Sequence, residues 1–291
     1  MCVAAPCERL GGMTNKTGID LYSPAEIVDK LENVGVVKAN LAFRAMAMLG
    51  LLAGAFIGFG GLFFVLVTSD PGLPWAMSRL VGGVAFSLGL ILVVVAGAEL
   101  FTGNTFLVMA WAERRIDLAL LLRNWAIVYG ANVVGALAMV GLVWASHHPE
   151  MNHGAIAENY VRIAAAKVSA PFSAIFVKGL LCNALVCLAV WLAYAGRTVT
   201  DKILAILFPV SAFVAAGFEH CIANFYLIPM GLVLHLVDGV TPAGVAVEAL
   251  TLPAAAINIL AATLGNIVGG SVMVAGVYYV TFRGAPRLPR G

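Results

Sequence analysis

From Ile203 to Leu236 the chain is apolar enough for a bilayer interior, except where Gly217-Phe218-Glu219-His220-Cys221-Ile222-Ala223-Asn224 interrupts it. Ionisable side chains at that depth each cost about 2.5–3.5 kcal/mol to insert. A fold that keeps Glu219 and His220 there must pair them to pin two helices, or set them along a path for a substrate or proton. A second break is expected near Pro229. The stretch from Leu80 to Ala112 has the same build, with Glu99-Leu100-Phe101-Thr102-Gly103-Asn104 inside it. As a single helix it would measure about 50 Å, against a hydrocarbon core of about 30 Å. It is either two spans or one span broken in the middle.

Composition sets the class. Hydrophobic residues make up 62% of the chain and charged residues 11%, against about 45–50% and about 25% in soluble domains. This is a polytopic, all-α membrane protein. A net charge of +2 gives no footprint for a nucleic-acid partner. Cys2, Cys7, Cys182, Cys187 and Cys221 show neither zinc spacing nor a CxxC. The last three sit in apolar runs, where a free thiol behaves as a small hydrophobe, so no disulfide, metal or cofactor is expected. His147, His148 and His153 lie with Glu150 and Glu158 in a polar connection and read as solvated.

Charge placement then counts the crossings. Lys30, Lys38 and Arg44 precede a first span from Ala45 to Val67, and Arg114, Arg115 and Arg123 follow the Leu80–Ala112 stretch. Basic residues gather on the cytoplasmic side. With both groups there, Leu80–Ala112 is one broken crossing. Trp125–Trp144 and Phe172–Tyr194 follow, then the broken Ile203–Leu236, then Ala254–Val280. All but four of the 17 Lys and Arg (Arg79, Arg162, Lys167 and Lys178) then face the cytoplasm, with both chain ends. The expected site is the inner, cytoplasmic membrane. Residues 1–44 form an N-terminal segment, 45–281 the transmembrane domain and 282–291 a tail. Residues 1–22 are polar with no signal-peptide core, and read as disordered and uncleaved. Within 23–38, Ser23, Pro24 and Glu26 mark a helix start. Ile27, Leu31 and Val34 follow at helical spacing, making this segment an amphipathic helix.

The two halves match. Gly50-Leu51-Leu52 answers Gly179-Leu180-Leu181, and Glu99 precedes Asn104 at the spacing by which Glu219 precedes Asn224. Asn124 and Asn132 stand ahead of Val133-Val134-Gly135 as Asn258 and Asn266 stand ahead of Ile267-Val268-Gly269. Four matches in one order imply a duplicated three-span unit, residues 45–146 and 171–281. Three is odd, so the second copy is inverted, and inverted repeats with broken helices meeting near the midplane mark a transport path.

Leu80-Val81-Gly82-Gly83, Phe86-Ser87-Leu88-Gly89-Leu90, the Glu99–Asn104 run, Cys182-Asn183, Gly217-Phe218-Glu219-His220, Asn224 with Pro229-Met230-Gly231, and Gly265-Asn266 together resemble the formate/nitrite transporter family. The resemblance covers nearly the whole chain. It implies an aquaporin-like protomer of six transmembrane helices, with helices two and five broken. Such protomers assemble as a homopentamer in the bilayer, each with a pore for small monovalent anions of weak acids. Formate is the first expectation, with nitrite and hydrosulfide as alternatives. It further implies a cytoplasmic constriction of Phe86 and Leu90 and an outer one of Leu100, Val186 and Phe213. Thr102 and His220 would face each other from the two breaks, Asn183 and Asn266 would be polar lining, and Lys167 would pair with Glu219. At Gly103-Asn104 formate-branch members can carry other small polar residues, so the loop leaves the cargo open.

Physical chemistry supports a proton-linked path. A bare anion in an apolar ring pays a large desolvation penalty, whereas its neutral acid does not. His220, at the break itself, has an ordinary pKa of about 6.5 that suits proton exchange near neutrality; the bland reading has it only closing the break on Thr102 or Asn224. No enzymatic chemistry is expected. A neutral-solute channel would more naturally carry paired Asn-Pro-Ala half-helices, which are missing. A membrane redox enzyme would need a better bis-histidine pair than His220 and His235.

Overall fold

The computed structural model describes residues 21–70 and 72–283; the expectations for residues 1–20 and for the tail beyond Arg283 fall outside it. Among the described residues every regular element is helical. α1 (Pro24–Ala39) opens on a capping box: Glu26 N–H donates to Ser23 Oγ at 3.4 Å and Ser23 N–H to the Glu26 carboxylate at 2.8 Å. Those bonds hold the Glu26 carboxyl below the usual carboxylate range. Its apolar stripe, Ile27, Val28 and Leu31, is buried with Phe106, Met109 and Trp191, so α1 is docked on the bundle.

The first half continues with α2 (Phe43–Thr68), α3 (Trp75–Ala96), a break, one 3₁₀ turn (Gly103–Phe106), α4 (Leu107–Ala112) and α5 (Leu118–Ala145). The second runs through α6 (Ala155–Val168), α7 (Phe172–Ala195), α8 (Val199–Ala215), a break, α9 (Cys221–Leu236), α10 (Leu252–Val268), a π-helical stretch (Gly269–Gly276) and α11 (Val277–Arg283). α2, α3, α5, α7 and the continuous Leu252–Arg283 helix are each long and apolar enough to cross a membrane. α8 and α9 share the remaining crossing, so the six expected crossings stand, with the second and fifth interrupted.

Two expectations change. No break occurs at Pro229, which lies inside α9. Neighbouring helices compensate the backbone bond a proline removes from a membrane helix. The histidine-rich connection is not all loop: after short 3₁₀ turns it folds into α6, whose Ile156, Tyr160, Val161 and Ala164 are buried.

The first and third crossings of each half meet backbone to backbone. A Cβ on Gly135 would lie 2.0 Å from the Leu51 carbonyl oxygen, and one on Gly269 2.1 Å from that of Leu180. Only small residues permit such an approach. The duplicated glycine–leucine pattern is thus the contact that fixes α2 on α5 and α7 on the start of the π-helical stretch.

Candidate functional site

Both breaks open on the same device. Gly97 and Gly217 take φ of 78° and 72°, a left-handed conformation that costs glycine little. Beyond each, the chain bonds back into the finished helix, Ala98 N–H to the Val93 carbonyl at 2.9 Å and Phe218 N–H to the Phe213 carbonyl at 3.0 Å. This is the Schellman closure.

Backbone unwound inside the bundle must be satisfied by protein, and two asparagines do this. Asn132 receives Phe101 N–H at 2.9 Å and donates to the carbonyls of Gly50 (2.7 Å) and Glu99 (2.9 Å). Asn266 receives Cys221 N–H at 2.9 Å and donates to the carbonyls of Gly179 (2.7 Å) and Glu219 (2.8 Å). Asn266, expected as polar lining, has both ends of its amide occupied in closing the fifth-helix break.

The two acids are held alike. Glu219 takes Lys167 Nζ at 2.8 Å and Asn224 Nδ2 at 2.7 Å. Asn224 also donates to Asn258, whose own amide reaches the Lys167 carbonyl at 2.9 Å. Glu99 takes Lys38 Nζ at 3.1 Å and Asn104 Nδ2 at 2.8 Å. Asn104 also donates to Asn124, whose amide reaches the Lys38 carbonyl at 3.1 Å. Sequence reasoning paired Lys167 with Glu219 and missed Lys38. The signal was there, because Lys38 stands as far before Gly50 as Lys167 stands before Gly179. The repeating unit therefore reaches back to include α1 in the first half and α6 in the second.

His220 and Thr102 meet where the breaks face each other, Nε2 to Oγ1 at 3.1 Å, both buried. His220 is also the N-cap of α9, its Nδ1 accepting Ala223 N–H at 3.1 Å. An accepting Nδ1 carries no proton, so the neutral ring bears its hydrogen on Nε2 and donates it to Thr102. Asn183 stands beside them: its Nδ2 lies 3.2 Å from the Thr102 carbonyl and 2.7 Å from that of Asn266, while its buried Oδ1 has no partner among the described residues. Gly270 of the π-helical stretch leaves this space open, since a Cβ there would fall 2.4 Å from Asn183 Nδ2.

A cavity lies on either side of this centre. One, of about 210 Å³, is lined by Phe86, Phe213, His220, Glu219 and Lys167. The other, of about 140 Å³, is lined by Leu90, Leu100, Glu99, Lys38 and Tyr194. The rings of Phe86 and Phe213 meet edge to face at 5.9 Å, and Phe213 stacks on His220 at 6.2 Å. The grouping implied by resemblance is thus corrected. Phe86 belongs with Phe213 and not with Leu90, and Leu100 belongs with Leu90 and not with Phe213. Phe86 and Leu90 share a face of α3, but one helical turn places them on opposite sides of the breaks. Val186 is buried within α7 and lines neither cavity. No group of three or more metal-ligating side chains occurs among the described residues.

An inverted repeat with two broken helices, a buried imidazole between them and a cavity on each side defines a membrane transport protein. The formate/nitrite transporter model matches residues 25–280, and the chain belongs to that family. It is 40% identical over 273 residues to the formate channel FocA of Escherichia coli (strain K12), covering 90% of this chain and 95% of that protein. The formate channel FocA of Haemophilus influenzae is 37% identical over 264 residues, covering 87% and 92%. Among solved structures, a pentameric formate channel with formate bound superposes with a TM-score of 0.74 at 35% identity, covering 83% of this chain and 98% of that one. An ion channel of the same family superposes at 0.76 with 29% identity, covering 88% and 98%.

Proposed function

We propose that this chain forms a homopentamer in the cytoplasmic membrane, each protomer passing formate between its two cavities with His220 as the central proton-exchanging group. The observation that carries the reading is the His220–Thr102 contact, placed between an apolar pair on each side. Phe86 with Phe213 would oppose a bare anion at one side and Leu90 with Leu100 at the other, while formic acid crosses either readily. Lys167 and Lys38 offset the two acids, so that neither Glu219 nor Glu99 repels an arriving anion. Asn183 Oδ1, an acceptor without a partner among the described residues, can take a hydrogen bond from the O–H of formic acid next to Thr102.

Proton exchange at His220 has a structural condition. A ring that gives up a proton and stays neutral must first hold one on each nitrogen, and a proton on Nδ1 displaces Ala223 N–H. Loading the ring therefore uncaps α9, and unloading restores the cap. Sidedness follows from charge: Arg115, Arg123, Arg197 and Arg283 all bond to residues of α1 or its flanks, and such a collar belongs in the cytoplasm.

The test is flux of formate, nitrite and hydrosulfide in proteoliposomes from about pH 5 to 8. Formate movement that depends on pH across this range is expected. Faster nitrite or hydrosulfide would reassign the cargo, and water flux with no anion flux would overturn the reading.

A further inference from the structure

The two cavities are not electrical equals. The Leu90–Leu100 side is lined by one cation, Lys38, and one carboxylate, Glu99, already paired. The Phe86–Phe213 side is lined by Arg79, Lys167 and Lys178 against the single carboxylate Glu219. Lys167 answers Glu219, so Arg79 and Lys178 are cations in excess. The repeat does not require them: the relation that carries Gly50 to Gly179 carries Leu49 to Lys178, and the one that carries Gly97 to Gly217 carries Arg79 to Val199. Both are departures from symmetry, and both face the same cavity.

Their donors are largely unspent. Arg79 points Nε and Nη2 at the carbonyls of Ala215 and Val214, at 2.8 and 3.0 Å, and meets no acid among the described residues. A guanidinium has five N–H bonds, and Nη1 remains. The Lys178 side chain is half-buried and has no hydrogen-bond or ion-pair partner among the described residues. Lys167 directs one of its three N–H bonds to Glu219. The space is large, about 210 Å³, where a single water needs about 10–15 Å³ on that scale. A formate ion of three heavy atoms fills little of it and answers one of the two excess charges.

We propose that this mouth is a binding site for a divalent oxyanion of the sulfate or hydrogenphosphate kind, which plugs the pore from that side. Two excess cations with several free N–H donors match a compact dianion with several acceptor oxygens. Such an ion cannot follow formate inward, because one proton taken up at the pore centre still leaves it charged before Phe86 and Phe213. It binds and stays. The blocking role rests on the formate reading; the binding site does not.

Binding is measured first, by titrating sulfate into the detergent-solubilised full chain at fixed ionic strength set with chloride. Saturable sulfate binding is expected, weakened at least ten-fold in Lys178→Gln, restored in Lys178→Arg and unchanged in Lys202→Gln, a lysine of the first turn of α8 that does not line this cavity. Lys178→Met serves where the glutamine variant does not fold. In proteoliposomes, sulfate should raise the formate concentration for half-maximal flux without lowering the maximum, and Lys178→Gln should remove that effect. No saturable binding, or equal binding by wild type and Lys178→Gln, overturns the site. Lys178-dependent binding in a protein that moves no formate keeps the site and overturns the cargo reading.

Discussion

Lys38 and Lys167 hold equivalent places in the two halves: each ammonium grips the acid of one helix break, and each backbone carbonyl receives the amide of an asparagine bonded to the next asparagine along. Both lysines lie in the last turn of their helices, α1 and α6, so these two helices outside the six crossings are parts of the repeat.

Removing one partner of a buried pair leaves an uncompensated charge and costs about 3–5 kcal/mol, whereas replacing both can be neutral. Lys167→Met should therefore lower the thermal midpoint of the protein by several degrees, and Lys167→Met with Glu219→Gln should recover most of it. Lys38→Met should cost less, since its side chain is 24% exposed against 15% for Lys167. Thermal unfolding of the solubilised protein reads all three. Equal stability of wild type and Lys167→Met would show that the pair is not structural.

Glycines at the helix contacts make a sharper contrast. A Cβ on Gly265 would lie 2.2 Å from the Phe176 carbonyl oxygen, whereas one on Gly130 or Gly141 meets nothing within 4 Å. Backbone cannot swing aside as a side chain can, so Gly265→Ala should destabilise by about 1–3 kcal/mol or more through overpacking. Gly130→Ala and Gly141→Ala should be neutral or slightly stabilising. Folded yield after solubilisation is the measurement, and a normal yield for Gly265→Ala would mean that α7 and α10 can separate freely.

Much of this architecture is legible in the amino-acid order alone. Run length against bilayer thickness, with the placement of lysine and arginine, yields one broken crossing each time, and asparagine spacing exposes the repeat because those residues do the same backbone work in both copies. α6 is illegible because fourteen residues with Glu158, Arg162 and Lys167 among them look like a polar connection; its apolar stripe matters only once α9 is known to lie against it. Phe86 and Leu90 are misgrouped for a related reason. Spacing shows that they share a face of α3, but their cavities are decided by partners far along the chain, Phe213 for one and Leu100 for the other. Lys178 reads in sequence as one of four stray cations, and only the cavity gives it a setting.

The α1 end of the bundle is latched by Glu32, which is buried and takes Arg283 at 2.9 and 2.8 Å, with Arg115 at 3.9 Å. Asp29, one turn back along α1, meets the same Arg283 guanidinium. Arg283→Gln leaves the Glu32 carboxylate without its main partner, so α1 should loosen from α11 while the six crossings persist. Hydrogen exchange over residues 24–39 should quicken at least ten-fold with little change in α5 or α7. Unchanged protection of α1 would assign its docking to Ile27, Val28 and Leu31 alone.

His220 carries two duties that one substitution can separate. Its Nδ1 caps α9 and its Nε2 reaches Thr102 across the breaks. Asparagine is among the best N-cap residues, so His220→Asn can keep the Ala223 N–H satisfied while removing the ring that titrates. The variant should fold, with a thermal midpoint within a few degrees of wild type. Thr102→Val is the complementary change: it keeps the imidazole and strands its Nε2 hydrogen, at a cost of about 1–3 kcal/mol for a buried donor left unpaired. If the ring exchanges protons with formate, His220→Asn loses the pH dependence of flux between about pH 5 and 8, and any current left is an anion leak without proton movement. Flux and current recorded together decide the matter. Coupled movement of proton and formate that survives in His220→Asn would reduce the imidazole to a cap that holds the fifth-helix break closed.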